Sequence, residues 1–210
     1  MAANFARYNK IRDRLDTGDV VLFTGRGLTS RLIRLGTGEY SHVGMVVRAV
    51  QEDLVLLFES TTLSDVDDIV TGEPVRGCML VPLSYRVGRY RGRIAIRRLI
   101  GVDRDHGFRE RVREVRKTIH LTPYEEKWTT LIRAALPDEM TNTVEEVESL
   151  FCSEAVALFY QETGLIPKKR TASAFHPGDF TSKSGVIDQL LTKSTAYPQA
   201  KLLHEVLVNT

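Results

Sequence analysis

The sequence predicts an α+β domain, and three observations carry the prediction. Compact apolar runs of β-forming residues are confined to the first half of the chain, between Val20 and Ile96. Helical periodicity takes over from Phe108 onward. Strands clustered first and helices after them are the order of an α+β fold, not of an alternating parallel sheet. The 210 residues carry no internal repeat, low-complexity tract or long Pro/Gly linker, so 1–210 reads as a single domain.

The elements follow in order. Residues 4–15 read as a short amphipathic helix ended by the turn Asp16-Thr17-Gly18-Asp19. Val20-Val21-Leu22-Phe23 is a run of β-formers with no polar interruption, which reads as a buried strand. Gly25-Arg26-Gly27 opens a short helical stretch from Ser30 to Leu35, closed by Gly36 and Gly38. His42–Val47 and Leu54–Glu59 are separated by the polar Gln51-Glu52-Asp53 and are expected to form a hairpin. Met79–Leu83 and Arg93–Ile96 continue the β region as a meander. Phe108, Val112, Val115 and Ile119 then recur at helical spacing between charged residues. Val147, Leu150 and Phe151 lead into Ala155, Val156, Phe159 and Tyr160, a second apolar stripe that Gly164 is placed to stop. The stretch from Val186 to Val208 is expected to pack on the domain or against a partner.

Composition excludes several function classes. With 29 Lys and Arg against 27 Asp and Glu, a net charge of +2 and 42% hydrophobic residues, the chain is not a disordered or histone-like polyion. Cys78 and Cys152 are too few for a disulfide framework or a four-cysteine zinc site, and no ligand set for calcium or zinc is visible. No metal or cofactor is therefore expected. No apolar run approaches the ~18–20 residues of a membrane span. The start, MAANFARYNKIRDRL, is charged throughout and lacks the apolar stretch of a signal peptide. The expectation is a cytoplasmic protein in a reducing compartment.

Cys152 is the residue that carries chemistry. It falls at or just inside the start of the helix expected to end near Gly164, where unpaired N–H groups and the helix dipole favour thiolate. A neighbouring imidazole would add to this. Of the five histidines, His42 stands at the head of an apolar strand, a rigid mount for a general base. Glu59 lies at the end of the adjacent strand, where its carboxylate can reach the imidazole if the two strands pair. Each residue also has an ordinary reading: a small core cysteine, a satisfied polar histidine and a solvated strand end. Cys78, inside Cys78-Met79-Leu80-Val81, keeps the core reading.

Several segments also resemble one family. They are Gly18-Asp19-Val20-Val21-Leu22, Tyr40-Ser41-His42-Val43-Gly44-Met45-Val46, Phe58-Glu59-Ser60 and Phe151-Cys152-Ser153-Glu154-Ala155-Val156. Together they are similar to the circularly permuted papain-like cysteine hydrolases, the YiiX-like branch of the NlpC-type superfamily, related to the lecithin–retinol acyltransferase-like enzymes. Thr122-Pro123-Tyr124-Glu125 and His176-Pro177-Gly178-Asp179-Phe180 resemble that family's tyrosine-acid and Pro-x-Asp-Phe segments, although Leu121-Thr122-Pro123 replaces the glycine often found ahead of the tyrosine. The resemblance covers roughly residues 16–182. It implies a permuted papain-like α+β fold, an antiparallel meandering sheet or barrel packed against helices. It also implies Cys152 as nucleophile, His42 as general base and acid, and Glu59 as the orienting residue. The oxyanion is expected to meet backbone N–H groups near Cys152, with Tyr124, Ser153 and Ser41 as side chains lining the substrate. Tyr124 reads equally as a core-edge tyrosine. The substrate would be a peptide-like amide, including cell-wall fragments, or an acyl lipid, attacked through a thioester.

Residues 86–117 hold twelve basic and four acidic residues, a local charge of +8 against −6 for the rest. Such a segment is expected either to contact an anionic lipid or nucleic-acid surface, as a non-catalytic module would, or to form a solvated strand edge and helix face. No RNA-recognition, zinc-finger or helix-turn-helix signal accompanies it, so no specific nucleic acid is expected. Gly25-Arg26-Gly27 lacks the ending of a phosphate loop, and Arg26, Arg31 and Arg34 are expected instead beside His42.

Overall fold

Alternating apolar residues on a strand give a sheet two buried faces only if both are covered, and this sheet is covered on both. Val20 and Leu22 enter one apolar cluster, while Val21 and Phe23 between them enter another. The computed structural model describes residues 5–24, 39–61, 65–121 and 144–209. The expected helix at Ser30–Leu35, Gly25–Gly27, Arg26, Arg31, Arg34 and the Thr122–Glu125 segment with Tyr124 lie outside the described residues.

The strands are β1 (Phe5–Arg7), β2 (Val20–Thr24), β3 (His42–Ala49), β4 (Leu54–Thr61), β5 (Gly77–Pro82), β6 (Arg93–Arg97), β7 (Leu99–Ile100), β8 (Lys201–Leu202) and β9 (Val206–Asn209). The helices are α1 (Tyr8–Ile11), α2 (Leu83–Arg89), α3 (His106–Ile119), α4 (Val144–Glu162) and α5 (Val186–Leu191). The main sheet runs β1-β9-β6-β2-β3-β4-β5, antiparallel except for the β1–β9 pair. The β2-β3-β4-β5 portion follows the expected meander, and β3 and β4 form the expected hairpin, with Met45 opposite Phe58, but β6, expected to continue the meander after β5, crosses back to pair with β2.

The molecule is thus mixed α+β with a mostly antiparallel sheet. Among the described residues the expected barrel is not formed: β5 and the three-residue β1 are the two edges of an open sheet, because closure requires the outermost strands to pair. Helices α3 and α4 cover one face through Phe108, Val112, Ala155, Val156 and Phe159. Leu83 and Val87 of α2 cover the other. The C-terminal stretch packs on the domain, since β9 enters the sheet between β1 and β6.

Three element boundaries differ from expectation. In place of one amphipathic helix over 4–15, the described residues 5–14 form β1, α1 and a 3-10 turn at Arg12–Arg14, because β9 offers Phe5–Arg7 a parallel pairing edge. Leu83 is not the last residue of a strand. It opens α2, which follows Pro82 and buries Leu83, Arg86 and Val87 at i, i+3, i+4 spacing. Helix α4 begins at Val144, three residues before Val147, the first of the apolar residues that announced it. The helix ends before Gly164, whose φ of +80° is the left-handed stop the sequence implied.

Candidate active site

The register of β3 and β4 places His42 and Glu59 within reach of one another. Gly44 stands between them. A Cβ built on Gly44 would lie 3.3 Å from the Glu59 Cβ, 3.0 Å from the Phe58 carbonyl oxygen and 2.7 Å from Leu57 Cδ1. Only a residue without a side chain lets the two strands and the Glu59 side chain close up here. The His42 Nε2 is then 2.8 Å from Glu59 Oε2, and the ring tilts against Phe23 at 5.3 Å between centroids. Gly44→Ala is expected to cost about 1–3 kcal/mol of stability through overpacking. It should also loosen the His42–Glu59 contact, which an NMR titration of the His42 ring would report as a shift toward ordinary histidine behaviour.

Helix α4 packs across β3 and β4 and carries Cys152 to the imidazole. The Cys152 sulfur hydrogen-bonds the His42 ring. With Nε2 turned to Glu59, Nδ1 is the nitrogen left to meet the sulfur. Burial alone would push the His42 imidazole down. The charge and hydrogen bond of a Cys152 thiolate, followed by those of Glu59, overcome burial and raise it to about 10. The structure therefore brings Cys152, His42 and Glu59 together in an unbroken chain. The sulfur is enclosed, at 0% exposure, whereas the His42 side chain keeps 17%.

One expectation about this helix is corrected. Cys152 does not sit at a helix start; it lies eight residues beyond Val144. Its N–H belongs to the interior i→i−4 ladder, so neither the dipole of the first turn nor a free backbone N–H of α4 acts at the sulfur. The positive charge that faces the sulfur comes from His42 instead. Ser153, expected to line the substrate, is fully buried, and its hydroxyl donates to the Phe175 carbonyl at 2.5 Å. Ser41 precedes His42 and ties the strand start down, its N–H donating to the Phe23 carbonyl at 3.0 Å. Asp179 of the Pro-Gly-Asp-Phe segment caps its own turn by accepting from the His176 N–H, and Phe180 is a core residue against Tyr160.

Glu59 is 2% exposed, and burial by itself would raise its carboxyl. The Arg86 guanidinium, then His42, outweigh burial and hold it below the usual carboxylate range. Arg86 Nε donates to Glu59 Oε1 at 2.7 Å. Its Nη2 is equally near that oxygen but off the hydrogen-bond direction, so it contributes an ion-pair contact only. Sequence reasoning missed Arg86 as part of this site because it was absorbed in the basic segment. Its spacing from Leu83 and Val87 was the signal that it faces inward.

Two further groups separate the cysteines and mark the surroundings. Cys78, opposite Ser60 on β5, is pushed up to about 11, chiefly by burial and against a hydrogen bond to Ser60. Glu154, two residues after Cys152, is raised to about 7 by burial, and its buried Oε2 has no hydrogen-bond partner. A cavity of about 650 Å³, lined in part by Val47, Arg48, Leu56, Val112 and Arg116, lies toward the opposite end of β3 from His42. Among the described residues, no three His, Cys, Asp or Glu side chains gather as a metal site, and no helix is long and apolar enough to cross a membrane. No protein-family model matches the chain, and no curated protein matches it.

Proposed function

We propose that the protein is a thiol-dependent hydrolase of amide bonds, of the peptide or cell-wall-fragment type, built on a permuted papain-like fold. The observation that carries the reading is the Cys152–His42–Glu59 chain, in which a buried carboxylate orients an imidazole that hydrogen-bonds a thiol. The order histidine, acid, cysteine along the sequence supports the permuted form. In the mechanism, the Cys152 thiolate attacks the acyl carbonyl, and the His42 imidazolium gives its proton to the departing amine. His42 then takes a proton from water as that water cleaves the thioester, releasing the acid and restoring the thiol pair. Glu59 keeps the ring aligned and supports its positive charge in both halves. A lipid-directed acyltransferase or deacylase would share the first half-reaction and differ in the acyl acceptor or leaving group.

The rival reading, a module that holds anionic lipid or nucleic acid through residues 86–117, draws little support from the disposition of that segment. Arg86 and Arg97 are buried. Arg97 forks onto Asp188, and Arg104 and Arg109 turn to Asp16. Arg93, Arg113 and Lys117 pair with Glu39, Glu110 and Glu114. Much of the basic charge is therefore matched within the chain.

Trapping the acyl-enzyme tests the reading. Brief incubation with an activated acyl ester, followed by intact-mass and peptide analysis, is expected to find one acyl group on Cys152 and none in Cys152→Ala. An adduct that persists in the variant, or none in the unaltered protein, would refute the assignment.

A further inference from the structure

We propose that Arg86 is a positioning residue of this site: anchored on Asp65, it holds Glu59 in the orientation and ionised state that serve His42. The inference rests on the proposed thiol chemistry and deepens it. Arg86 is 1% exposed, and its two ends do different things. Nε donates to Glu59 Oε1 at 2.7 Å, while Nη1 reaches out to Asp65 Oδ1, also at 2.7 Å. Asp65 is half exposed, and Arg89 of the same helix holds its carbonyl oxygen at 2.6 Å. The carboxylate of Glu59 is thereby divided: Oε2 belongs to His42 and Oε1 to Arg86.

A tether for α2 would not need a charge. Leu83 and Val87 already bury that helix in the apolar cluster on its side of the sheet, and a buried guanidinium is costly to desolvate. What only a cation supplies is compensation for Glu59. Among the described residues, the charged groups around Glu59 are His42 from β3 and Arg86 from α2, with Cys152 of α4 beyond His42 and Asp65 beyond Arg86. Without Arg86, burial of Glu59 would be opposed by His42 alone. As the pH falls, the carboxyl would take up its proton earlier, and the imidazolium beside Cys152 would lose its counter-charge at a higher pH.

The experiment is the rate of Cys152 alkylation by iodoacetamide from pH 4.5 to 9 in the full-length protein, with thermal unfolding recorded beside it. Arg86→Gln is expected to move the acid limb up by about one pH unit or more and to change the rate at pH 8 by less than about threefold. Arg86→Lys, which keeps the charge, is expected to recover at least half of the displacement. Asp65→Asn, a change at a half-exposed residue that leaves Arg86 in place, is expected to give a smaller displacement in the same direction, and so provides a test if Arg86→Gln fails to fold. A folded Arg86→Gln whose profile superimposes on that of the unaltered protein overturns the inference, as does an Arg86→Lys displaced as far as the glutamine variant. If the unaltered protein itself shows no plateau, with its rate rising about tenfold per pH unit throughout, the thiol chemistry fails before Arg86 is in question.

Discussion

Replacing His42 with alanine is expected to change the shape of the pH dependence of Cys152 alkylation, not only its size. In the unaltered protein the imidazolium persists to about pH 10 beside the sulfur, and the proposed thiolate–imidazolium pair predicts an alkylation rate that is flat across the neutral range. A thiol without that partner, with an ordinary pKa of ~8.5, is only about 1% ionised at pH 6.5, and its rate climbs about tenfold per pH unit. On that proposal the paired thiolate is the more abundant species at pH 6.5, and its lower basicity offsets only part of the gain, so His42→Ala is expected to lose alkylation rate there. The sign follows from the raised histidine. The support His42 gives the ion pair is fully present below the unfolded histidine pKa of ~6.5 and is lost as the pH passes about 10. Turnover of an acyl substrate should fall further, by about 10²–10⁴-fold, because proton transfer to the leaving group is lost as well. Cys78, held near 11 by burial, is the internal control that His42→Ala should leave unchanged. A rate that stays flat in the variant would show that something other than the imidazole ionises Cys152.

What the sequence disclosed here was the part governed by local pattern. The uninterrupted apolar run at Val20 could only be buried on both faces, and β2 is covered by an apolar cluster on each. The polar break at Gln51–Asp53 set the β3–β4 hairpin, and with it the distance from His42 to Glu59. The start of α4 was less legible because apolar spacing marks where a helix is buried, not where it begins. Reading the apolar residues as the helix start put Cys152 at a terminus it does not occupy. Arg86 and the His120–Asp68 pair were hidden for a different reason: each joins residues far apart in the chain, and no periodicity encodes such a meeting. The charge of residues 86–117 misled in the same way. A count of arginines records their number and not the carboxylates and carbonyls, such as Asp188 and Phe180 on Arg97, that the fold returns to them.

Asp68 should show the largest stability effect outside the site. It is fully buried, and its two oxygens accept from the N–H groups of Val70, Thr71 and Leu80 while His120 Nε2 lies 2.8 Å from Oδ2. One carboxylate thereby joins its own turn, the edge strand β5 and the end of α3. Leu121 then takes a left-handed φ of +62°, and its N–H donates to the Cys78 carbonyl. Asp68→Ala would leave the buried Leu80 N–H and the part-buried N–H groups of Val70 and Thr71 without their acceptor and is expected to cost about 3 kcal/mol at neutral pH, measured by urea unfolding. Asp68→Asn keeps an acceptor and should cost less. The pH dependence separates a charge effect from simple truncation. Burial would raise this carboxyl, but the backbone N–H of Leu80, then His120 and the turn N–H groups, hold it below its ordinary value. Its contribution is therefore fully present above the unfolded value of ~3.9 and disappears as the pH falls through the lower folded one. The gap between Asp68→Asn and the unaltered protein should accordingly be constant from pH 7 to 5 and narrow below about 4. A gap that stayed the same at pH 3 would mean that Asp68 acts by shape alone and that its charge adds nothing to the fold.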